Sequence, residues 1–373
     1  MTRTRLSRAA ISRNAVVILA VIASGATLYW LRGILTPLAL AVFLAVMIDR
    51  FARMLRRILP GMARGADLPV AIVLSIALFG GSAFVIADNA TTFVGQLNSY
   101  APRLNALIAR AAHMVGIAAP ETVDQLFRQL DVTRYLADVA RLLQDFVSNA
   151  LFVFVYLGFI IASRHGFERK IVGLFPQRAE RQEAVDAFLA IRDGVEQYLW
   201  VQTATGLIIA VGSLITMAAV GLDNAVFWAF LIFIASYIPV IGGLIGILAP
   251  PAFALVQFET YWQALTLVVV LNVIQFIVGN VILPRMQGRS LNMDPVVVLL
   301  ALTFWGAVWG VAGMFLSTPL TVMLMVILAQ FSGTRWIAVL LSADGEPDRL
   351  RERRPPDSAP ETDQPAQSAP PVK

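Results

Sequence analysis

Apolar positions in this chain gather in long blocks separated by short arginine-bearing connections, the pattern of membrane-crossing helices rather than of a soluble core. Blocks at 14–31, 34–49, 68–88, 147–163, 197–220 and 261–283 each suit one helix, a crossing taking roughly 20 apolar residues. Two further blocks, 225–258 and 295–331, are longer and interrupted. The stretch "SYIPVIGGLIGILAPPAF" (236–253) holds three prolines, three glycines and no charge. A single helix over 225–258 would be about 51 Å long at 1.5 Å per residue, against about 30 Å of hydrocarbon. The pattern therefore predicts that 225–258 folds back near "IPVIGG", and that 295–331 does so near "GVAGMFLSTP" (310–319), each as a re-entrant hairpin or a pair of short helices.

Charge placement supports that reading. Arginines of short connections stay on the cytoplasmic side. They crowd the N-terminus, the segment 50–67 and the segment 164–196, whereas "GLDN" (221–224) has none. With both interrupted blocks folded back, Arg285, Arg289 and Arg335 also fall inside, and both termini are cytoplasmic. The expected layout is N-terminal transmembrane helices over 1–88, an amphipathic extracytoplasmic segment over 89–146, a core transport domain with broken helices over 147–335, and a disordered cytoplasmic tail over 336–373. In the second of these, Asp124, Asp131, Asp138 and Asp145 recur every seven residues with apolar residues between them, which predicts a helix with one wet face and one packing face. A seam between subunits is favoured over a helix lying on its own membrane domain. The tail beyond Ala343 is proline-rich, charged and poor in large apolar residues, so it cannot offset its ordering entropy.

Composition fixes the medium and removes several chemistries. Hydrophobic residues make up 58% and charged residues 14% of the 373, against about 25% charged in ordinary globular chains, and the mean hydropathy is +0.73. The fold class expected is an all-α polytopic membrane protein with about six full spans plus the two broken hairpins. No cysteine is present, which excludes disulfides, thiolate metal sites and cysteine nucleophiles. His113 and His165 stand alone, and no HExxH, GxSxG or GxxxxGK[ST] occurs. The chain is read as a non-enzyme with no metal and no cofactor. Its +5 charge marks membrane orientation rather than nucleic acid.

Candidate chemistry lies in polar groups at membrane depth, which are costly unless they face a partner or a water-filled path. Asn272, Gln275 and Gly279 follow i, i+3, i+7, with Asn280 beside them. Gln202, Thr203 and Thr205 form a weaker second set. Backbone groups freed at Pro239, Gly242 and Gly243, and at Gly313 to Pro319, survive in a bilayer only where protein buries them or water reaches them. Paired interrupted segments of this kind point to a transporter's central site. The expected pathway residues are Pro239, Gly242, Gly243, Asn272, Gln275, Asn280, Pro284, Asp294, Gly313 and Pro319. Asp294, just before Pro295, reads as a helix N-cap, with a cation-handling carboxylate as the other reading.

These residues form a recognisable series. "YIPVIGGLIGILAPPAFALVQ" (237–257), "GNVILPRMQGRSLNMDPVVVLLALTFWGAVWGVAGMFLSTPLTVML" (279–324) and "LFPQRAERQEA" (174–184) resemble the autoinducer-2 exporter (AI-2E) family of bacterial membrane transporters over roughly 145–331. The resemblance implies a multi-span inner-membrane transporter that is a homo-oligomer, with a pentamer as one form of the assembly. Family members are associated with export of the furanone-type signal autoinducer-2, others with sodium(lithium)/proton exchange. Many relatives carry a carboxylate where this chain has Leu283 and Ser or His where it has Asp294. The expected function is secondary or facilitated export of a small polar solute. A sodium(lithium)/proton antiporter using Asp294 and a non-transporting scaffold acting through 89–146 are the alternatives.

Overall fold

The computed structural model describes residues 19–59, 69–75, 150–163, 177–287 and 292–346, with single positions at 16, 77, 103, 106 and 173. Nearly all of the amphipathic segment expected at 89–146, the loop at Arg289 and the tail beyond 346 lie outside the described residues.

The elements described are helices. α1 (Leu19–Trp30) and α2 (Arg32–Ile58) are followed by helical residues 69–75, α3 (Ala150–Ala162) and α4 (Arg178–Val220). Then come α5 (Ala225–Ala235), α6 (Ile241–Gln257), α7 (Trp262–Ile277, continuing through a π turn at Val278–Ile282 into Leu283–Gln287), α8 (Pro295–Ala329) and α9 (Arg335–Leu341). Four helices among the described residues are long and apolar enough to cross a membrane, with shorter apolar helices beside them. This bears out the all-α polytopic class.

Helix α4 is the axis. At 43 residues it is far longer than the apolar block at 197–220, because its first turns carry Arg178, Arg181 and Arg192 in solvent-compatible positions. It ends at Gly221, whose φ of 79° lets the Leu222 N–H reach back to Met217 and the Gly221 N–H to Ala218, a glycine stop that satisfies the last carbonyls.

Both interrupted blocks fold back. In the first, α5 and α6 run antiparallel. Ile232 packs on Gly246 at 3.6 Å from where a Cβ would stand, and the Trp228 and Phe253 rings lie 5.5 Å apart. A Cβ on Gly242 would sit 2.3 Å from the Ala235 carbonyl oxygen, so only glycine allows the arms to close there. The turn Ser236–Val240 ends in a γ-turn: the Ile241 N–H donates to the Pro239 carbonyl at 2.7 Å, and Val240 takes φ 66°, ψ −50°.

The second hairpin is α8 itself. By length its 35 residues pass for one rod, but the Trp305 indole N–H donates to Thr321 Oγ1 at 3.1 Å. In a straight helix those residues would stand about 24 Å apart. The reversal is at Gly310, φ 64°, ψ −144°, a conformation nearly reserved for glycine. Sequence reasoning put this break within 310–319, and the reversal falls on the first residue of that stretch. Gly313 is where the arms touch, its Cβ position being 1.9 Å from the Trp305 carbonyl oxygen. Pro319 is buried inside the returning arm, which stays helical through it.

The hairpins hang from opposite ends of α4. At one end the Gln257 amide N–H₂ donates to the Gly221 carbonyl at 2.9 Å, and its oxygen accepts the Asp223 N–H at 2.8 Å. Toward the other, Gly194 faces Val322 at 3.8 Å, and Val195, Tyr198 and Leu199 form a core with Leu316, Leu320 and Trp305. Gly194 and Gly221 are separated by roughly 40 Å of helix. A separate apolar core joins Ala41, Ile48 and Ala52 of α2 to Ala71 and Leu157.

Residues 336–346, expected as the start of the tail, are among the described residues and fold onto α8. α9 is helical, Met293 pairs with Ser342 in an isolated antiparallel bridge, and Ala343 N–H donates to the Asn292 carbonyl at 3.0 Å. Ala338 is buried in a core with Met293, Val322 and Met325, and Leu341 packs beside it.

Candidate functional site

Two polar regions lie where α4, α7 and the hairpin tips come together. The first is a groove of about 410 Å³ lined by Ile247, Asn272, Gln275, Phe276, Gly279 and Asn280. The i, i+3, i+8 spacing on α7 places the three amides Asn272, Gln275 and Asn280 along it, and the π turn at Val278–Ile282 widens the helix where Gly279 and Asn280 stand. Asn272 Nδ2 donates to the Val268 carbonyl at 2.7 Å and Asn280 Nδ2 to the Phe276 carbonyl at 3.0 Å. Each therefore turns its side-chain oxygen away from its own helix. Gln275 Nε2 lies 3.1 Å from the Cβ position of Gly243, so the groove ends against the first turn of α6. Proline sharpens the polarity. Pro251 cannot donate to the carbonyl of Ile247, a groove residue.

An apolar groove of about 400 Å³ continues from Ile247 along α6 and α7, lined by Leu248, Pro251, Leu255, Ala264, Leu265 and Val268 among others.

The second region is the tip of the first hairpin. Gln202 Nε2 donates to the Ser236 carbonyl, the Thr203 and Tyr237 hydroxyls are 2.7 Å apart, and the Tyr198 hydroxyl donates to the Tyr237 carbonyl at 3.4 Å. The Tyr237 ring stacks on Phe315 of the second hairpin, centroids 4.7 Å apart at 26°. The pair Gln202 and Thr203, ranked second from sequence, thus holds the tip. Thr205 bonds back to the Val201 carbonyl at 2.7 Å.

Of the sequence-predicted pathway residues, Gly243, Asn272, Gln275 and Asn280 come together at the amide groove. Pro239 and Gly242 form the tip beside it, and Pro284 follows the π turn. Gly313 and Pro319 belong to the second hairpin's packing. Asp294 is elsewhere. Its Oδ1 accepts the Val296 N–H at 2.7 Å, the capping role, and its backbone N–H donates to Leu341 at 3.3 Å, at the base of the second hairpin.

The model of the AI-2E family transporter matches residues 18–333. The chain belongs to the AI-2E transporter family.

Among the relatives of this AI-2E family chain, AI-2 transport protein TqsA of Escherichia coli is 32% identical over 314 residues, covering 83% of this chain and 89% of that protein. Putative transport protein YhhT of the same species is 25% identical over 331 residues, covering 86% and 90%. Putative transport protein YrrI of Bacillus subtilis is 23% identical over 321 residues, covering 81% and 88%. The match reaches the N-terminal helices, which the motifs alone did not.

Sequence reasoning missed one cluster in this family member. Arg50 Nη1 donates to Glu196 Oε1 at 2.8 Å, Arg53 Nη2 bonds Glu196 Oε2, and the Arg50 guanidinium lies 5.1 Å from the Trp200 ring centroid. The two arginines were read as orientation markers. Their spacing at i, i+3 shows one helix face, but nothing in the sequence ties them to a carboxylate some 145 positions later. Among the described residues no group of three or more metal-ligating side chains occurs.

Proposed function

We propose that this AI-2E family chain is a secondary transporter or facilitator that exports a small, uncharged polar solute of the autoinducer-2 type. The amide groove carries the reading. Its polar lining is Asn272, Gln275 and Asn280, and no ionised side chain is among its residues. Facing lipid, such a stripe would be costly. Facing a hydroxyl-bearing solute, its acceptors are matched by donors. The similarity to a protein named for AI-2 transport supports the solute class, and the broken hairpins beside the groove support a path through the bilayer. In this reading the protein sits in the bacterial inner membrane as a homo-oligomer with both termini cytoplasmic.

The test is flux in proteoliposomes. Asn272→Leu removes an acceptor, and Gly243→Leu fills the space beside Gln275. Both are expected to cut solute flux at least tenfold while the protein still reaches the membrane. Wild-type flux in both, at normal expression, overturns the assignment.

A further inference from the structure

The amide groove and the aromatic stack lie on either side of one loop. Gly243 meets Gln275 on the groove side, and Tyr237, six residues earlier, stacks on Phe315. We propose that Tyr237 and Phe315 form the closed gate between the groove and the side on which the second hairpin has its base, and that the Tyr198 hydroxyl is its switch, with Thr318 as the alternative acceptor. The proposal rests on the transporter reading above.

Three observations carry it. First, the stack joins hairpins that start from opposite ends of α4, so any relative movement of their tips must part these rings. Second, the polar holds on the tip from α4 are unequal. Gln202 and Thr203 bond it closely, whereas the Tyr198 to Tyr237 carbonyl bond is 3.4 Å long, at the limit for a hydrogen bond. Third, Thr318 is 2% exposed and its Oγ1 makes no hydrogen bond of good geometry, while the Tyr198 hydroxyl lies close enough to it for a weak interaction. A buried hydroxyl left unsatisfied calls for a physical reason. As the tip withdraws, the Tyr198 O–H leaves the Tyr237 carbonyl and takes Thr318 Oγ1, so one bond is lost and one gained and neither hydroxyl is stranded. This exchange offsets part of the cost of opening, the rest being set by the Gln202 and Thr203 bonds to the tip.

The turn itself favours movement. Val240 is β-branched, 59% exposed, and held at the centre of a γ-turn with positive φ. That turn is rare and strained, and strain of this kind gathers at switch regions. Opening the tip releases it.

The chain has no cysteine, so Tyr237→Cys/Phe315→Cys can be cross-linked at one place only. Wild type and variant are reconstituted, and flux of labelled neutral furanones is measured before oxidation, after it, and after reduction. The expected result is a cross-link that lowers flux at least tenfold and a reductant that restores it, with each single-cysteine variant indifferent to oxidant. A cross-linked protein that transports like the reduced one overturns the gate, as does failure of the pair to react with oxidant and with a short bifunctional thiol reagent. A wild-type chain that moves none of the furanones removes the transporter reading and the gate with it. Thr318→Val tests the switch without touching the stack. Flux is expected to fall about tenfold with thermal stability unchanged, and Thr318→Ser to restore it. Equal flux in all three overturns the switch.

Discussion

Replacing Gly313 by alanine tests the second hairpin at its tightest contact. The added Cβ would stand 1.9 Å from the Trp305 carbonyl oxygen, 2.7 Å from its carbonyl carbon and 2.9 Å from Trp309 Cβ. Two of these are backbone atoms, which no rotamer change can move. To bring the oxygen to even 3.0 Å the arms must part by about 1.1 Å. The Trp305–Thr321 hydrogen bond, now 3.1 Å, would then exceed hydrogen-bonding distance. Overpacking of this kind costs about 1–3 kcal/mol, and leaving the buried indole N–H unsatisfied costs about 1–3 kcal/mol more. The expected loss is thus of order 3 kcal/mol, since partial relaxation trades one term against the other. Gly279→Ala is the control, because its Cβ would meet nothing within 4 Å. Thermal unfolding of the purified protein in detergent reads the difference. Gly313→Ala should unfold several degrees below wild type and Gly279→Ala close to it. Equal midpoints for the two variants would refute the hairpin packing.

Further variants separate space from conformation and charge from packing. Gly310→Ala meets no atom within 4 Å, yet its φ of 64° with ψ −144° should cost about 1–3 kcal/mol, seen in the same unfolding assay. Val240→Gly removes a strained valine, and after glycine's own entropic penalty of about 0.5–1 kcal/mol it should raise the midpoint slightly. Glu196→Gln breaks the ion pairs to Arg50 and Arg53. Because both arginines are substantially exposed, the loss should be near 1 kcal/mol and shrink in high salt.

Much of this architecture is legible in the chain because lipid imposes a simple rule on length and charge. A 34-residue apolar block cannot cross straight, and the arginines beyond it demand an even number of crossings. What remained hidden depended on φ angles and distant partners. Pro250, Pro251 and Pro319 sit inside helices, and the reversals fall at Ser236–Val240, beside the expected "IPVIGG", and at Gly310, within the expected 310–319. A proline removes one donor, which a packed helix tolerates, whereas a positive φ redirects the chain. The amide stripe on α7 was visible from its spacing. The π turn beneath it was not, since no local residue preference marks one extra residue per turn. The extension of α4 back to Arg178 was missed because charged turns look like loop when only apolar blocks are counted. Glu196 was missed for the same reason.

Passage of a polar solute along the groove requires water to reach the amides at the tip of the first hairpin. Single-cysteine variants Gln275→Cys and Ile277→Cys in this cysteine-free chain, treated with a membrane-impermeant thiol reagent in reconstituted vesicles, test this most directly. Both positions are on α7, but only Gln275 faces the groove, while Ile277 is exposed on another face. Rapid labelling at 275 and none at 277 is the predicted result. Position 275 staying as unreactive as 277 would contradict the account.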